Sequence, residues 1–181
     1  MKYLIASDIH GSAYWCQRLM DAFTAEKADR LVLLGDLLYH GPRNELPEEY
    51  APKRVIEMLS AQRERILCVR GNCEAEVDQM VLPFPVLADY AVLEQAGRLI
   101  FLTHGHHFNR DALPPLCTGD VLLYGHTHVP LCEERSGILC MNPGSVSIPK
   151  EGSWHGYMTL RDGCFRWLDF DGTQHMQYQI K

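Results

Sequence analysis

Five apolar segments of this chain each lead into a short polar motif, and this repeated arrangement constrains the fold more than any other feature. The segments read as buried β-strands because they are short and rich in apolar residues. They are Tyr3–Ser7, Leu31–Leu34, Ile66–Val69, Leu99–Thr103 and Val121–Tyr124. The motifs that follow are Asp8-Ile9-His10, Gly35-Asp36, Gly71-Asn72-Cys73-Glu74, His104-Gly105-His106 and Gly125-His126-Thr127-His128. In open α/β sheets ligands bind beyond the carboxyl ends of the strands, so the sequence predicts one polar site there.

The size and composition of the chain predict a single soluble domain over residues 1–181. Hydrophobic residues make up 46% of the chain and charged residues 22%, as in ordinary globular proteins. No apolar run approaches the ~20 residues of a membrane span, and the first one is interrupted by Asp8, so we predict neither a membrane partner nor a signal peptide. The seven cysteines are odd in number and contain no C-x-x-C pair, which favours reduced thiols and a cytoplasmic location.

The formal net charge of −6 does not favour nucleic acid as a partner, because nucleic-acid-binding proteins usually present a basic face. The lysines and arginines occur singly, without a polybasic run. A phosphate-containing substrate remains compatible with this charge, since two divalent cations would reverse the local field.

The order of predicted helices and strands indicates an α/β fold. The first half alternates strands with helices at about Ala13–Glu26, capped by Ser12, at Pro52–Arg63 and at Glu74–Met80. The second half reads as hairpins, with strands at Tyr90–Glu94, Ile138–Met141, Gly156–Leu160, Cys164–Asp169 and Gln174–Gln179. Such a pattern predicts a four-layer αββα sandwich of two mixed sheets flanked by helices.

The residue types in the polar motifs are those that bind a pair of divalent cations. Asp36 is the best candidate for a carboxylate that bridges two ions, which in such sites lie roughly 3.5–4 Å apart. Asp8 and His10 are two residues apart on an extended segment, so both can reach one ion, and His126 and His128 repeat that spacing. Asn72 offers a neutral carbonyl oxygen, and its neighbour Gly71 is expected to adopt an unusual backbone angle. The seven candidate metal ligands are Asp8, His10, Asp36, Asn72, His104, His126 and His128.

The joint order of these motifs resembles the signature of the calcineurin-like metallophosphoesterases, in particular the small bacterial phosphodiesterases of the YfcE type. The resemblance extends to Gly41-Pro42-Arg43-Asn44 and Asn142-Pro143-Gly144-Ser145. It implies that Asp8, His10, Asp36 and His128 hold one ion and that Asp36, Asn72, His104 and His126 hold the other. It further implies hydrolysis of small phosphodiesters by metal-activated hydroxide attack on phosphorus, with Asp36 at the reacting centre. The ligand types suit Mn²⁺, Zn²⁺, Fe, Ni²⁺ or Co²⁺, and the resemblance favours Mn²⁺.

One position departs from the pattern of the larger family members, which have histidine where this chain has Cys73. A thiol is a poor substitute for imidazole as a general acid, so we interpret Cys73 as a wall of the substrate site. His106, two residues beyond His104, is then the nearest candidate to protonate the leaving group.

Several further residues have both a functional and a structural interpretation. His40, Arg43 and Asn44 follow Asp36 and are predicted to contact the substrate, although a purely structural loop is an equal alternative. The segment Asn142–Ser145 is predicted to support the ligand histidines. Residues for which a structural role is favoured are His107, His155, His175, Trp154, Trp167 and Phe165.

Three alternatives to a phosphodiesterase remain open from the sequence. The same metal chemistry would serve a phosphomonoesterase or a nucleotide pyrophosphatase. A protein-interaction scaffold is the alternative from a different class, because the retromer subunit of similar fold binds proteins. A nuclease is disfavoured by the absence of a basic run. The oligomeric state is also open, with a homo-oligomer as one alternative.

Overall fold

The computed structural model describes residues 1–180, and its eleven strands form two β-sheets. The strands are β1 Lys2–Ala6, β2 Arg30–Leu33, β3 Ile66–Cys68, β4 Tyr90–Gln95, β5 Arg98–Thr103, β6 Val121–Leu123, β7 Leu131–Arg135, β8 Ile138–Asn142, β9 Gly156–Arg161, β10 Cys164–Asp169 and β11 Gln174–Gln179. The helices are α1 Ala13–Ala25, α2 Pro52–Ser60 and α3 Glu76–Val81, with a 3-10 turn at Arg63–Arg65.

Both sheets mix parallel and antiparallel strands. The first sheet has the order β11-β10-β9-β1-β2-β3, with β1, β2 and β3 parallel and β9 antiparallel to β1. The second has the order β4-β5-β6-β8-β7, with β5, β6 and β8 parallel and an antiparallel strand at each edge. The predicted fold class, an α/β fold of two mixed sheets with helices, is confirmed. Among residues 1–180, the helical residues of the hydrophobic clusters pack on the first sheet, so the predicted outer helical layer on the second sheet is replaced by the β5–β6 connection.

Alternate residues of the central strands pack on opposite sides, because successive side chains of a strand point to opposite faces. Leu4 and Ala6 of β1 join the hydrophobic cluster beneath α1 and α2, whereas Ile5 joins the cluster between the two sheets. The outer face of the second sheet carries a third cluster, which Leu113 and Leu116 of the β5–β6 connection cover. No helical residue belongs to this third cluster among residues 1–180.

The boundaries of several elements differ from those predicted. Ser12 caps α1 as expected, with its Oγ accepting the Trp15 N–H at 3.2 Å. The third helix begins at Glu76 rather than at residue 74, because the side chain of Glu74 is occupied within the protein interior, where it accepts backbone N–H groups. Strand β7 was absent from the predicted elements. Its sequence, Leu-Cys-Glu-Glu-Arg, lacks an apolar alternation because β7 is an edge strand held by pairing with β8.

None of the helices in residues 1–180 has the length and apolar character that a membrane-spanning helix requires.

The topology brings the five polar motifs to one end of the two sheets. The backbone links them directly: Asp8 N–H donates to Gly35 O at 3.1 Å, and His10 N–H donates to Asp36 O at 2.9 Å. In the second sheet, Gly125 N–H donates to His104 O at 2.8 Å. Loops that are far apart in the chain are thereby held side by side.

Candidate metal centre

The seven candidate ligands converge in the structure as two groups that share a carboxylate. The first group surrounds Oδ1 of Asp8, which lies 3.5 Å from His10 Nε2 and 3.3 Å from His128 Nε2. The two Nε2 atoms are 3.4 Å apart. All three residues are at most 3% exposed. Three potential donor atoms thus face one another within the distance that a single ion could span.

The second group surrounds Nε2 of His104. This atom lies 3.0 Å from Asn72 Oδ1, 3.2 Å from His126 Nδ1 and 3.4 Å from Asp36 Oδ2. The same oxygen of Asp36 lies 3.6 Å from His10 Nε2 in the first group. Asp36 therefore stands between the two groups, where a bridging carboxylate would have to be.

Backbone carbonyl groups fix the orientation of three imidazoles. The Nδ1 atom of His10 lies 2.8 Å from Tyr39 O, that of His104 2.7 Å from Leu34 O, and that of His128 2.6 Å from Ile148 O. A carbonyl oxygen can only accept, so in the neutral ring the proton resides on Nδ1 and the Nε2 lone pair faces the site. This is the usual arrangement of a metal-binding histidine, whose second nitrogen is held by a hydrogen bond.

One buried oxygen supports the fit of these residues to a cation. Oδ1 of Asp8 is inaccessible to solvent and has no hydrogen-bond partner among residues 1–180. An unsatisfied buried carboxylate oxygen costs free energy, and native structures rarely leave one without a reason. With the ring proton on Nδ1, the Nε2 atoms of His10 and His128 beside it would offer lone pairs. A divalent cation would satisfy the oxygen and both nitrogens together.

The backbone at the site is strained. Five of the seven candidate ligands have a positive φ angle, which is uncommon for residues other than glycine. The angles are 61° at Asp8, 50° at His10, 58° at Asp36, 67° at His126 and 62° at His128. This left-handed conformation costs roughly 1–2 kcal/mol per residue and must be maintained by the surrounding structure. Such strain concentrates at functional sites.

The ionisation of the site reflects its burial and its mixture of charges. Burial tends to raise the pKa of Asp8, but His128 and His10 outweigh it, so this pKa lies well below its ordinary value. Burial tends to lower the pKa of His104, whereas Asp36 and Asp8 raise it to about 9. The pKa of the more accessible His126 is lowered by burial and by His104. Cation binding would displace protons from such a cluster.

Glu74 holds two loops of the site together, and the sequence analysis assigned it no role. Its buried carboxylate accepts the N–H groups of Asp36 at 2.9 Å, Leu37 at 2.8 Å and Gly71 at 2.5 Å. It thus ties the loop after β2 to the loop after β3. The sequence signal for this role was the position of Glu74 directly after Gly71-Asn72-Cys73. The prediction of a helix over residues 74–80 obscured that signal.

The structure gives Gly71 a different role from the one predicted. Its φ angle is not among the positive ones. A Cβ atom at this position would lie 2.5 Å from the backbone N of Asp36 and 2.6 Å from Glu74 Oε2. Glycine is therefore required because two backbone segments approach closely, and not because of an unusual angle.

The segment Asn142–Ser145 contacts the loops that carry the ligands. Asn142 Nδ2 donates to Gly125 O at 2.7 Å, next to His126. Ser145 Oγ donates to the backbone oxygen of Asp8 at 2.9 Å. These bonds fit the supporting role predicted for the segment.

A cavity of about 430 Å³ opens above the candidate ligands. Three of the four predicted substrate-contacting residues, Arg43, Asn44 and Cys73, line it. Thr127 and Lys150 also line it, and sequence reasoning assigned neither a role. Thr127 stands between two histidines that drew the attention, and Lys150 belongs to no recognised motif. The thiol of Cys73 lies 3.3 Å from Asp36 Oδ2, and burial together with this carboxylate raises its pKa above the ordinary value. Cys73 is thus a neutral wall residue near pH 7.

Two predicted site histidines lie outside this cavity. The ring of His40 packs edge-on against Tyr39 and Tyr50. His106 lies with its ring centroid 5.4 Å from that of His104 and lines a neighbouring depression of about 260 Å³. Burial and the nearby His104 lower the pKa of His106 to about 4. A substrate role for either residue stays a prediction.

The remaining histidines and aromatic residues take mostly structural positions. His107 is exposed and borders the same depression as His106. His155 stacks on Trp15, and His175 stacks on Trp154 and contacts Asp169. Phe165 and Trp167 are fully buried between the sheets.

Comparison with known proteins assigns the family. A model described as the calcineurin-like phosphoesterase superfamily domain matches residues 1–161. The chain belongs to this superfamily. Membership implies divalent metal ions, for which the candidate ligands above provide donor atoms.

The chain is similar to the phosphodiesterase YfcE in both sequence and structure. It is 50% identical to phosphodiesterase YfcE of Escherichia coli K12 over 160 residues, which cover 88% of this chain and 87% of that protein. A solved structure of this E. coli phosphoesterase aligns over the whole of both chains, with a TM-score of 0.96 and 46% identity. A probable metallophosphoesterase of Bacillus subtilis, YsnB, is 28% identical over 88% of this chain and 83% of its own length.

The fold is also shared with a more distant protein. Vps29 of Entamoeba histolytica, solved in complex with zinc, aligns over the whole of both chains with a TM-score of 0.59 and 18% identity. This likeness concerns the fold alone.

Proposed function

We propose that this protein is a dinuclear, divalent-metal-dependent phosphodiesterase that hydrolyses small phosphodiesters. The observation that carries the proposal is the position of Asp36, whose Oδ2 lies 3.4 Å from His104 Nε2 and 3.6 Å from His10 Nε2. One carboxylate shared by two donor groups is the arrangement needed to hold two ions close together. The relationship to YfcE, which is named a phosphodiesterase, supports a phosphoric diester hydrolase.

In this proposal the donor atoms are divided between two ions. Asp8, His10, Asp36 and His128 would hold the first, and Asp36, Asn72, His104 and His126 the second. We propose Mn²⁺ as the native ion, with Zn²⁺, Fe, Ni²⁺ and Co²⁺ as the alternatives that oxygen and imidazole donors accept. When bound, the ions would supply Lewis acidity, which lowers the pKa of an attacking water and stabilises charge on the phosphoryl oxygens.

The remaining residues of the cavity bind and orient the substrate in this proposal. Arg43 and Asn44 present hydrogen-bond donors to the substrate, and the neutral Cys73 bounds the cavity without attacking phosphorus. His106 lines the neighbouring depression rather than the cavity above the ligands. We therefore propose that any contribution of His106 to protonation of the leaving group passes through water.

Two wider assignments complete the proposal. We propose that residues 1–181 form one metallophosphoesterase domain. We also propose a cytoplasmic location, supported by the odd number of cysteines.

The test uses the metal-stripped protein reloaded with one ion at a time. We expect hydrolysis of bis-p-nitrophenyl phosphate to exceed that of p-nitrophenyl phosphate, with about two ions per chain by elemental analysis. Asp36→Ala should lose both activity and metal, whereas Asp21→Ala, at an exposed aspartate of α1, should retain them. Faster hydrolysis of the monoester would replace the diesterase with a phosphomonoesterase. A metal-loaded protein inactive on both esters would favour a binding scaffold.

A further inference from the structure

Two cationic side chains line the cavity above the candidate metal centre. Arg43 and Lys150 line it, and the only carboxylate among its lining residues is the candidate ligand Asp36. This contrasts with the chain as a whole, whose formal charge is −6. It also contrasts with the adjoining cavity of about 290 Å³, which Asp111 and Glu151 line together with Arg110.

Arg43 differs from every other arginine of the chain. Its guanidinium makes no hydrogen bond and no ion pair within residues 1–180, although it can donate five hydrogen bonds. Each of the other arginines is engaged with a carboxylate or a backbone oxygen. They are Arg18, Arg30, Arg54, Arg63, Arg65, Arg70, Arg98, Arg110, Arg135, Arg161 and Arg166. The donors of Arg43 are therefore available to a ligand in the cavity.

Lys150 is likewise without an ion-pair partner in the described part of the chain, and its backbone is anchored to the candidate metal centre. Its N–H donates to the backbone oxygen of His128 at 3.2 Å. Its own backbone oxygen accepts from Ser153 N at 3.0 Å and from Ser153 Oγ at 2.7 Å. The ammonium group is thus carried by a backbone that is fixed relative to His128.

A charge balance indicates what the cationic side chains of Arg43 and Lys150 could bind. Two divalent ions would bring four positive charges, of which the candidate ligands Asp8 and Asp36 balance two; the buried carboxylate of Glu74 is bonded to backbone N–H groups and does not line the cavity. A phosphodiester carries one negative charge, and with an attacking hydroxide it balances the other two. The reacting phosphate therefore leaves the charges of Arg43 and Lys150 unneutralised. A second anionic group on the substrate would neutralise them.

We propose that Arg43 and Lys150 form an anion subsite that binds a second phosphate group of the substrate. The substrate is then a phosphodiester with two different alcohols. The alcohol that stays bonded to phosphorus after hydrolysis also carries a phosphomonoester. A phosphate suits the pair because guanidinium binds its oxygens through two parallel hydrogen bonds and ammonium binds them as a point charge. This inference rests on the proposed function and narrows its substrate.

The experiment compares two esters that differ only in the second phosphate. Both are thymidine 5′-(p-nitrophenyl phosphate), one with a free 3′-hydroxyl and the other with a 3′-phosphate, so the leaving group is the same. The wild-type protein should prefer the 3′-phosphorylated ester in kcat/KM. Lys150→Met and Arg43→Gln should each lower that preference by about threefold to fivefold, as for ion pairs of exposed side chains. Arg43→Lys should retain part of it, and added salt should weaken it.

A matched control and a binding measurement complete the design. Lys53→Met removes an exposed lysine of α2 that also lacks an ion-pair partner among residues 1–180, and it should leave the preference unchanged. By calorimetry, the wild-type protein should bind thymidine 3′,5′-bisphosphate more tightly than thymidine 5′-monophosphate, and Lys150→Met should reduce this difference. Equal kcat/KM for the two esters, or a preference that Lys150→Met and Arg43→Gln leave intact, would overturn the subsite while leaving the diesterase in place. A loaded protein that hydrolyses neither ester nor bis-p-nitrophenyl phosphate would remove the proposed function, and the subsite with it.

Discussion

The buried carboxylate of Glu74 is predicted to hold both the fold and the metal centre in place. It accepts three backbone N–H groups, two through Oε2 from Asp36 and Gly71, and one through Oε1 from Leu37. In Glu74→Gln the amide oxygen can keep the first two bonds. The amide NH₂ then takes the place of Oε1 and faces the Leu37 N–H. Both groups are donors, so the hydrogen bond from Leu37 N–H is lost.

The expected cost follows from this geometry. One hydrogen bond to a charged acceptor is lost, and one buried N–H is left without a partner, each worth about 1–3 kcal/mol. Burial and the neighbouring Asp36 raise the pKa of Glu74, because both make the charged carboxylate less favourable. The neutral amide of Glu74→Gln avoids this unfavourable contribution, which offsets part of the lost hydrogen-bond free energy. We expect a net decrease in the free energy of unfolding of about 3 kcal/mol. For 181 residues this corresponds to a Tm lower by about 10 °C.

The second consequence concerns metal binding, because Glu74 acts on the site through Asp36. Loss of a group that orients a metal ligand typically weakens metal affinity about 10–100-fold. The assay is urea denaturation of the metal-free protein, combined with calorimetric titration of Mn²⁺ into the folded variant. The metal-free measurement separates the effect on folding from the effect on the site.

Asp78→Asn provides the matched control. Asp78 accepts a single backbone N–H, that of Ala75 at 2.8 Å, at the start of α3 and away from the ligands. Its replacement should cost about 1 kcal/mol and leave Mn²⁺ affinity unchanged. If Glu74→Gln unfolds within about 0.5 kcal/mol of the wild-type protein and binds Mn²⁺ equally well, Glu74 supports neither the fold nor the metal centre.

Three further predictions concern other residues of the site and the inter-sheet core. His126→Ala should abolish hydrolysis of bis-p-nitrophenyl phosphate and lower the metal content by elemental analysis, and full retained activity would contradict its assignment. Cys73→Ser should keep activity within about tenfold of wild type, because the thiol is neutral and need not react; a fall to the level of Asp36→Ala would make the thiol catalytic. Trp167→Phe should lower the free energy of unfolding by about 2 kcal/mol, since it removes the bond from Nε1 to Asn142 O at 2.7 Å; unchanged stability on urea denaturation would show that this bond contributes nothing.

Features with a local chemical cause were predictable from the sequence. The short apolar runs placed β1, β2 and β5, and the hydroxyl of Ser12 marked the start of α1. The edge strand β7 was not predictable in this way. It is stabilised by hydrogen bonds to β8, a partner that its own composition does not reveal.

The role of Glu74 shows the same limit at the site. Its position after Gly-Asn-Cys was visible, but its three N–H partners come from two loops, including Asp36 and Leu37, nearly forty residues away in the chain. Similarly, Lys150 belongs to no motif and reaches the cavity only because the segment after Asn142 folds back against His128.

The sequence by itself determined the chemical groups of this protein and the strands that present them, because residue type and local periodicity are properties of short segments. Only the tertiary structure decided that Asp36 stands between two sets of donors and that five of those donors have left-handed backbones. It also decided that His106 faces a neighbouring depression rather than the cavity above the ligands. Distances and orientations between side chains depend on how distant segments pack, and packing is a property of the whole chain.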